Sequence, residues 1–280
     1  MSKKVRLAVV GGRRGKNFKH ALEALKGRIE LAAVCDLNPE VLQLWGREHP
    51  GVKTYANYDE LLDDSNIDAV LLATPMFVHA KQTVQALRAG KHVLSEVIAS
   101  HTIEDSWELI EAVEESGLVY MMAENYCYMR PNMMIKHMVE HDLFGELTYA
   151  ECGYVHDVRH LMHHEDGALT WRGKLTQQYR ASVYPTHSIG PVAQWLKIGQ
   201  AGGDEFAALT AFGSKGRAVA AYFKEHFGVD HPGASDAHWQ TPDSTTTVIR
   251  TKNGVLIVLR VDIQSPRPHN TTHYELQGTK

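Results

Sequence analysis

The sequence has 280 residues, enough for two domains that each bury a hydrophobic core. Hydrophobic residues make up 44% and charged residues 22%, which excludes a disordered chain, and the formal net charge of −4 argues against a nucleic-acid partner. No apolar run approaches the roughly 20 residues of a membrane span, the N-terminus lacks a signal-peptide pattern, and the three cysteines lack CxxC spacing. We therefore predict a cytoplasmic protein without a membrane partner.

Short apolar runs alternate with amphipathic stretches in the first 122 residues. The predicted strands are 5–10, 31–35, 69–73, 92–94 and 119–122, and the predicted helices are 17–26, 39–48, 79–89 and 103–116. Strands that are apolar throughout and are separated by helices are typical of a parallel sheet covered on both faces. We predict an α/β protein whose first domain, residues 1–122, is a doubly wound parallel Rossmann sheet.

The pattern changes from residue 123 onward, where longer segments alternate apolar and polar residues. The predicted helices here are 131–141 and 189–198, and the predicted strands are 147–155, 207–212, 245–251, 255–263 and 274–277. Such alternation indicates a sheet with one buried and one solvated face. We predict that residues 123–280 form an α/β domain with an open, mainly antiparallel sheet.

A glycine-rich turn follows the first strand and predicts a dinucleotide site. The segment Val10-Gly11-Gly12-Arg13-Arg14-Gly15 matches the G-x-G-x-x-G fingerprint, except that valine stands at the first glycine. Gly12 allows the backbone to approach a pyrophosphate, Gly15 allows the helix to pack closely on the strand, and the two arginines add positive charge.

Asp36 follows the second strand at the spacing expected of a residue that binds the adenosine ribose. A carboxylate there accepts ribose hydrogen bonds and repels a 2′-phosphate, which favours NAD over NADP. The alternative is that Gly11 and Gly12 form only a turn and that Asp36 is only the N-cap of the helix starting at Pro39. The combination of strand, glycines, helix and acid favours the cofactor interpretation.

Further residues of the first half carry a family resemblance. Ala73-Thr74-Pro75 with His79, and then the segment from Ala89 to Glu96, resemble the Gfo/Idh/MocA oxidoreductase superfamily. The resemblance implies a cofactor site that also includes Thr74, Pro75, His79, Glu96 and Asn125. Dehydrogenases of this superfamily usually read Glu-Lys-Pro where this chain reads Glu96-Val97-Ile98. Valine cannot transfer a proton, so the usual relay is replaced or lost.

Motifs of the second half are similar to those of glycoside hydrolase family 109. They are Glu124-Asn125-Tyr126-Cys127-Tyr128, Leu143-Phe144-Gly145-Glu146-Leu147, Tyr154-Val155-His156-Asp157-Val158-Arg159, Trp171-Arg172, Tyr184-Pro185-Thr186-His187, Gly203-Asp204, Pro266-Arg267-Pro268 and Gln277-Gly278-Thr279. The resemblance implies a glycosidase that uses NAD catalytically, through C3 oxidation, elimination, water addition and re-reduction. It also implies a homodimer or homotetramer and a chain that continues beyond Gln277-Gly278-Thr279, so we expect a C-terminal truncation.

The same resemblance points to the catalytic residues. We predict Tyr128 as the base at the sugar C2, with Tyr126 as the alternative. His187 and His156 titrate near neutral pH and suit proton transfer at the C3 hydroxyl. Glu96 is either catalytic or a residue that orients the strand end. Val183 stands where the superfamily usually has an aspartate, four residues before His187.

Sugar-binding residues are predicted near these groups. They are Asp157, Arg159, Trp171, Arg172 and Tyr184. A metal site built from His156, His160, His163 and His164 with Asp157 and Glu165 is the alternative interpretation of this histidine-rich segment. Because the segment has no helical pattern that brings these side chains to one face, we predict no metal.

Two other functions are consistent with the sequence. One is a conventional NAD-dependent sugar or polyol dehydrogenase that releases NADH, although Val97 lacks the proton-transferring lysine. The other is a non-catalytic regulator that binds NAD. A conventional dehydrogenase would release NADH in proportion to the substrate consumed. A non-catalytic regulator would bind NAD but would not exchange the proton at the sugar C2.

Overall fold

The computed structural model describes residues 3–280. It divides into two compact units, of which the first ends at Ala123 and the second comprises Glu124–Lys280.

The first unit is a six-stranded parallel sheet with helices between the strands. Its strands are β1 (Val5–Val10), β2 (Ile29–Cys35), β3 (Lys53–Tyr55), β4 (Ala69–Leu72), β5 (His92–Ser95) and β6 (Tyr120–Met122). Its helices are α1 (Gly12–Gly15), α2 (Lys19–Ala24), α3 (Pro39–Glu48), α4 (Tyr58–Leu62), α5 (His79–Arg88) and α6 (Ile103–Ser116). The strand order β3-β2-β1-β4-β5-β6 confirms the predicted Rossmann fold.

Strand β1 shows why this sheet must be covered on both faces. Leu7 and Val9 pack with Trp45 of α3 in one hydrophobic core, whereas Ala8 and Val10 belong to a second core. Successive side chains of a strand point to opposite faces, so a strand with buried apolar residues on both faces needs a layer of helices on each side.

The start of the first helical segment differs from the prediction. Instead of one helix from residue 17, the chain turns at Gly11 and forms α1, a 3-10 segment at Lys16–Phe18, and then α2. Gly11 has a φ of +87°, a conformation that glycine adopts without strain, and this turn starts the helix early. The short elements β3 and α4 were not predicted because three or five residues carry little periodicity.

The second unit contains a five-stranded mixed sheet. Its strands are β7 (Leu147–Val155), β8 (Phe206–Gly213), β9 (Thr245–Thr251), β10 (Leu256–Asp262) and β11 (Asn270–Gly278), and its helices are α7 (Arg130–Glu140), α8 (Trp171–Gln178), α9 (Thr186–Trp195) and α10 (Ala218–Phe227). The order is β11-β7-β10-β9-β8, with β7 and β10 parallel and the other three pairs antiparallel. The mainly antiparallel prediction is confirmed, but α8 and α10 were not predicted.

Helix α9 packs against one face of this sheet. Trp195 of α9 contacts Tyr274 of β11 edge-on, with ring centroids 5.5 Å apart. Along β9, Thr247 and Ile249 are buried whereas Val248 and Arg250 on the opposite face are accessible. Strand β9 therefore has the predicted buried and solvated faces, whereas every residue of the edge strand β8 is exposed. Within residues 3–280, no helix has both the length and the apolar character needed to cross a membrane.

Candidate active site

The glycine-rich turn lies at the carboxyl end of β1, where the strand order of the sheet reverses between β1 and β4. A Cβ atom on Gly11 would lie 2.5 Å from the carbonyl oxygen of Ala73, so only glycine fits where these two strand ends approach each other. Val10 is the last residue of β1 and is 2% exposed. The tight turn is therefore made by Gly11, one residue after the position at which the fingerprint expects its first glycine.

Gly12 and Gly15 are glycines for packing reasons. A Cβ on Gly15 would lie 2.3 Å from Cγ1 of Val9, so the absence of a side chain lets α1 pack on β1 as predicted. A Cβ on Gly12 would lie 2.8 Å from Nε1 of Trp45, and this indole donates a hydrogen bond of 3.0 Å to the Gly12 carbonyl. The Trp45 indole therefore requires glycine at position 12. This packing requirement is separate from the predicted approach of the Gly12 backbone to a pyrophosphate.

Asp36 follows β2 and is held by backbone N–H groups. Its carboxylate accepts hydrogen bonds from Arg13 N at 3.3 Å and from Asn38 N at 2.8 Å. The N-cap of α3 is Asn38, whose side chain accepts from Glu40 N at 2.9 Å, so the alternative that Asp36 caps this helix is wrong. A partly exposed carboxylate beside the glycine turn fits the adenosine ribose of NAD.

Glu96 lies at the end of β5 and is paired with an arginine of the glycine turn. Nε of Arg14 donates to the Glu96 carboxylate at 2.6 Å, and the side chain of Glu96 is 11% exposed whereas that of Arg14 is 55% exposed. Val97, which replaces the superfamily lysine, is buried. The pairing supports the interpretation of Glu96 as a residue that orients its neighbours, because a guanidinium already occupies its carboxylate.

The structure does not support direct cofactor contact by His79. Its ring is 1% exposed, and its two nitrogens lie 2.9 Å from the Ile98 carbonyl and 2.8 Å from the Thr74 carbonyl. His79 therefore fixes the backbone of the Thr74-Pro75 turn through these buried hydrogen bonds and does not bind a ligand itself. Thr74 and Pro75 are partly exposed, and the Thr74 hydroxyl donates to Gln82 at 2.6 Å.

His187 is the centre of a side-chain cluster in the second unit. It lies in the first turn of α9, and its Nδ1 is 2.9 Å from Oε1 of Glu124. The ring of Tyr126 stacks on it with centroids 4.4 Å apart and an interplanar angle of 25°. Tyr274 of β11 donates to the His187 carbonyl at 2.6 Å, which fixes the backbone of this turn to the sheet.

Tyr154 and His156 at the end of β7 form a second pair in the same cluster. The Tyr154 hydroxyl is 2.7 Å from Nδ1 of His156, and the Tyr154 ring lies 4.9 Å from that of His187. Burial raises the pKa of Tyr154, so its hydroxyl is the donor to His156. Burial, with the neighbouring His269, lowers the pKa of His156, which favours a neutral imidazole.

Tyr184 and Arg172, two of the predicted sugar-binding residues, lie beside this cluster; their role in binding a sugar stays a prediction. Tyr184 has a φ of +61°, a strained conformation for tyrosine, and its ring is nearly parallel to that of His187 at 6.1 Å. Arg172 stacks over Trp171 at 4.3 Å, and its positive charge opposes the rise in the Tyr154 pKa. The cluster therefore presents aromatic faces and a cation, both common in sugar-binding sites.

Other predicted residues have different surroundings. Tyr128 is 58% exposed and makes no ring contact or side-chain hydrogen bond within residues 3–280, and Asn125 is exposed.

Arg159 forms a two-point ion pair with Asp157, at 2.9 and 2.8 Å, and lies over the ring of Tyr222. This pair lowers the pKa of Asp157, and within residues 3–280 neither side chain hydrogen-bonds to His156. The charged groups of Asp157 and Arg159 are thus already paired with each other, and a sugar would have to share them or break this ion pair.

The histidine side chains of the segment after β7 do not converge on one point. His163 binds the Tyr222 hydroxyl at 2.9 Å, while His160 and His164 are exposed. The described residues bring together one group that has the side chains of a metal site, Glu151, His273 and Glu275 on paired strands β7 and β11. Two of these already bind each other, since His273 Nε2 lies 3.2 Å from Glu151 Oε1.

Three members of the cluster were not assigned roles from the sequence, namely Glu124, Tyr154 and His269. Glu124 and Tyr154 stand in motifs of the resemblance, whereas His269 follows Pro266-Arg267-Pro268 without a pattern of its own. Their convergence depends on β7, α9 and the loop before β11 meeting in space, which spacing along the chain does not reveal.

The fold and the glycine turn define the first unit as an NAD-binding Rossmann domain of the Gfo/Idh/MocA oxidoreductases, whose family model matches residues 5–124. The model described as "Glycosyl hydrolase 109, C-terminal domain" matches residues 128–280. The chain belongs to glycoside hydrolase family 109, and its cofactor is NAD.

Curated relatives agree with this family assignment, and a solved structure shares the fold. A "Glycosyl hydrolase family 109 protein 2" of Shewanella sp. (strain ANA-3) is 35% identical over 98% of this chain, and an "Alpha-N-acetylgalactosaminidase" of Shewanella oneidensis is 33% identical over 98%. The chain spans only 62% and 61% of the length of these two relatives. A levoglucosan dehydrogenase solved with NADH and L-sorbose shares the fold, with a TM-score of 0.80, 22% identity and coverage of 100% of this chain and 72% of that chain.

Proposed function

We propose that this chain is an NAD-dependent glycosidase that cleaves its substrate by transient oxidation at C3, elimination across C2 and C1, addition of water and re-reduction. N-acetylgalactosaminides are the first substrates to test, because the relative from Shewanella oneidensis is named for them. The cytoplasmic location, the homodimer or homotetramer and the division into an NAD-binding domain 1–122 and a substrate domain 123–280 stay predictions.

The observation that carries this proposal is that two histidines lie together, each with a tyrosine partner: the ring of Tyr126 stacks on His187, and the Tyr154 hydroxyl is 2.7 Å from Nδ1 of His156. Oxidation of a hydroxyl needs one base. The elimination cycle needs a second base for the C2 proton and an acid for the leaving oxygen, so two pairs fit the cycle better than a simple dehydrogenase.

The N-terminal residues fit the cofactor. When bound, NAD supplies a hydride acceptor and donor for the sugar C3. The turn at Gly11 starts α1, whose N-terminal N–H groups would bind the phosphates of NAD. The Asp36 carboxylate would accept hydrogen bonds from the ribose. Arg14 neutralises Glu96 and places the remaining guanidinium nitrogens at an accessible surface.

Residues of the second unit would move the protons. We assign Tyr126, rather than Tyr128, as the base at C2, because Tyr126 stacks on His187 and no described residue hydrogen-bonds to its hydroxyl. His187 takes the proton of the C3 hydroxyl through Nε2, the ring nitrogen that Glu124 does not occupy. His156, whose Nδ1 accepts from Tyr154, gives the leaving oxygen a proton from Nε2, and Arg172 and Tyr184 bind the sugar beside these groups.

The test is to give the purified chain and NAD aryl α- and β-glycosides, beginning with those of N-acetylgalactosamine, in heavy water. Release of the aglycone with deuterium at C2 and no net NADH supports the proposal. Accumulation of free NADH in proportion to substrate would instead identify a conventional dehydrogenase. NAD binding without any exchange at C2 would identify a non-catalytic protein.

A further inference from the structure

Glu124 is a buried carboxylate directly behind His187. The two side chains are 6% and 13% exposed, and Nδ1 of His187 lies 2.9 Å from Oε1 of Glu124. The same Oε1 accepts a hydrogen bond of 3.0 Å from the backbone N–H of Tyr126. Tyr126 is also the residue whose ring stacks on His187, so one carboxylate oxygen holds both partners of the stack.

The surrounding backbone is shaped to admit this carboxylate. Glu124 is the N-cap of the 3-10 turn Asn125–Tyr128, and α9 approaches it through Gly190, one turn after His187. A Cβ on Gly190 would lie 2.9 Å from Cγ of Glu124 and 3.2 Å from Sγ of Cys127. Glycine at position 190 thus allows α9 to bring His187 within hydrogen-bonding distance of Glu124.

The chemistry of a neutral imidazole determines the consequence of this contact. Such a ring carries one N–H, and the nitrogen that faces a carboxylate must be the donor because an ionised carboxylate only accepts. The proton therefore lies on Nδ1, and Nε2 keeps the lone pair that a base requires. The hydrogen bond also fixes the ring plane on which Tyr126 stacks.

We infer that Glu124 is the positioning residue of the proposed reaction: it holds His187 as the Nδ1–H tautomer, so that Nε2 is the base for the sugar hydroxyl. Its other oxygen, Oε2, is buried without a hydrogen-bond partner among residues 3–280. An unpartnered buried oxygen destabilises the fold and is kept where the site uses the group. This inference rests on the proposed function, since it names the group that prepares its base.

The direct test reads the tautomer without substrate or turnover. ¹⁵N-detected NMR of histidine-labelled chain above about pH 8, where an ordinary imidazole is neutral, identifies the nitrogen that carries the proton; His187→Gln assigns the signal. We expect Nδ1–H for His187 in the wild type and in Glu124→Gln, because the Tyr126 N–H keeps the amide oxygen at the Oε1 position. We expect loss of this preference in Glu124→Ala. A proton on Nε2 in the wild type, or an unchanged tautomer in Glu124→Ala, would overturn the inference.

Kinetics provide the second readout. We expect Glu124→Ala to lower kcat by about 100-fold while KM changes by less than about threefold, and Glu124→Gln to lower kcat by only about 10-fold. Equal losses in the two variants, or a loss confined to KM, would contradict a positioning role. If the tautomer is as expected but no glycoside is turned over, the proposed function fails and the inference about His187 stands.

Gly190→Ala tests the same contact from the other side without changing either side chain. The added methyl should separate α9 from Glu124, so the His187 tautomer preference should weaken although Glu124 is present. Gly46→Ala is the matched control, since its added Cβ in α3 meets nothing within 4 Å. An unchanged His187 signal in Gly190→Ala, with the chain still folded, would contradict the proposed geometry.

Discussion

Tyr126 lies flat against His187, with ring centroids 4.4 Å apart, whereas Tyr128, two residues later, is 58% exposed. The 3-10 turn that contains both residues points their side chains in different directions, because successive residues of a 3-10 helix are about 120° apart. The contact with His187 is therefore available to one tyrosine of the motif.

This difference gives a matched pair of variants for the base at C2. We expect Tyr126→Phe to lower the rate of C2 deuterium exchange by about 100-fold or more, in the range of lost general acid–base catalysis. Tyr128→Phe should lower it by less than about threefold. Exchange rates from NMR in heavy water decide the matter, and the reverse ranking would restore Tyr128 as the base.

Asp36 should determine the choice between NAD and NADP. Replacing it by serine removes the acceptor for the ribose and the repulsion of a 2′-phosphate, so we expect NAD to bind about 10-fold more weakly and NADP more tightly. Fluorescence titration with both reduced cofactors measures this shift. Asp63→Ser, at an exposed position after α4, is the control; an equal effect there would show that only net charge matters.

His156 should make the stability of the chain depend on pH. Burial lowers its pKa in the folded protein, so the unfolded chain binds the proton first as the pH falls below about 6.5. By linkage, the free energy of unfolding decreases as the pH falls from there toward the lower folded pKa. We expect His156→Asn, which keeps an acceptor for Tyr154, to lose less stability than the wild type between about pH 7.5 and 5. Urea unfolding at both pH values measures this, with exposed His20→Asn as the control.

The three cysteines should resist alkylation in the folded chain. Burial raises the pKa of Cys35 and Cys127 to about 11 and that of Cys152 to about 12, so the reactive thiolate is scarce at neutral pH. Mass spectrometry after treatment with iodoacetamide near pH 8 should find no modified cysteine before unfolding and three afterwards. Rapid labelling of the native chain would contradict the buried positions.

Local pattern was sufficient for much of the fold. The boundaries of β1, α3, α6, β7 and β9 agree with the predictions to the residue, because each is a long enough periodic run with a clear start or end signal. Helix α8 was not predicted, because its sequence Trp-Arg-Gly-Lys-Leu-Thr-Gln-Gln has little apolar periodicity and is helical through its Thr170 cap and tertiary packing.

The sequence by itself therefore determined the Rossmann unit, the presence of a glycine turn after β1 and the family, since these depend on residues that are close along the chain. Only the tertiary structure decided that Gly11 makes the turn, that His79 is buried under Thr74, and that Glu124, Tyr126 and Tyr154 surround His187. Glu124 and His187 are 63 residues apart in sequence, and a hydrogen bond between them depends on α9 packing against the turn that begins at Glu124. Such distances follow from how whole elements pack, which no local pattern encodes.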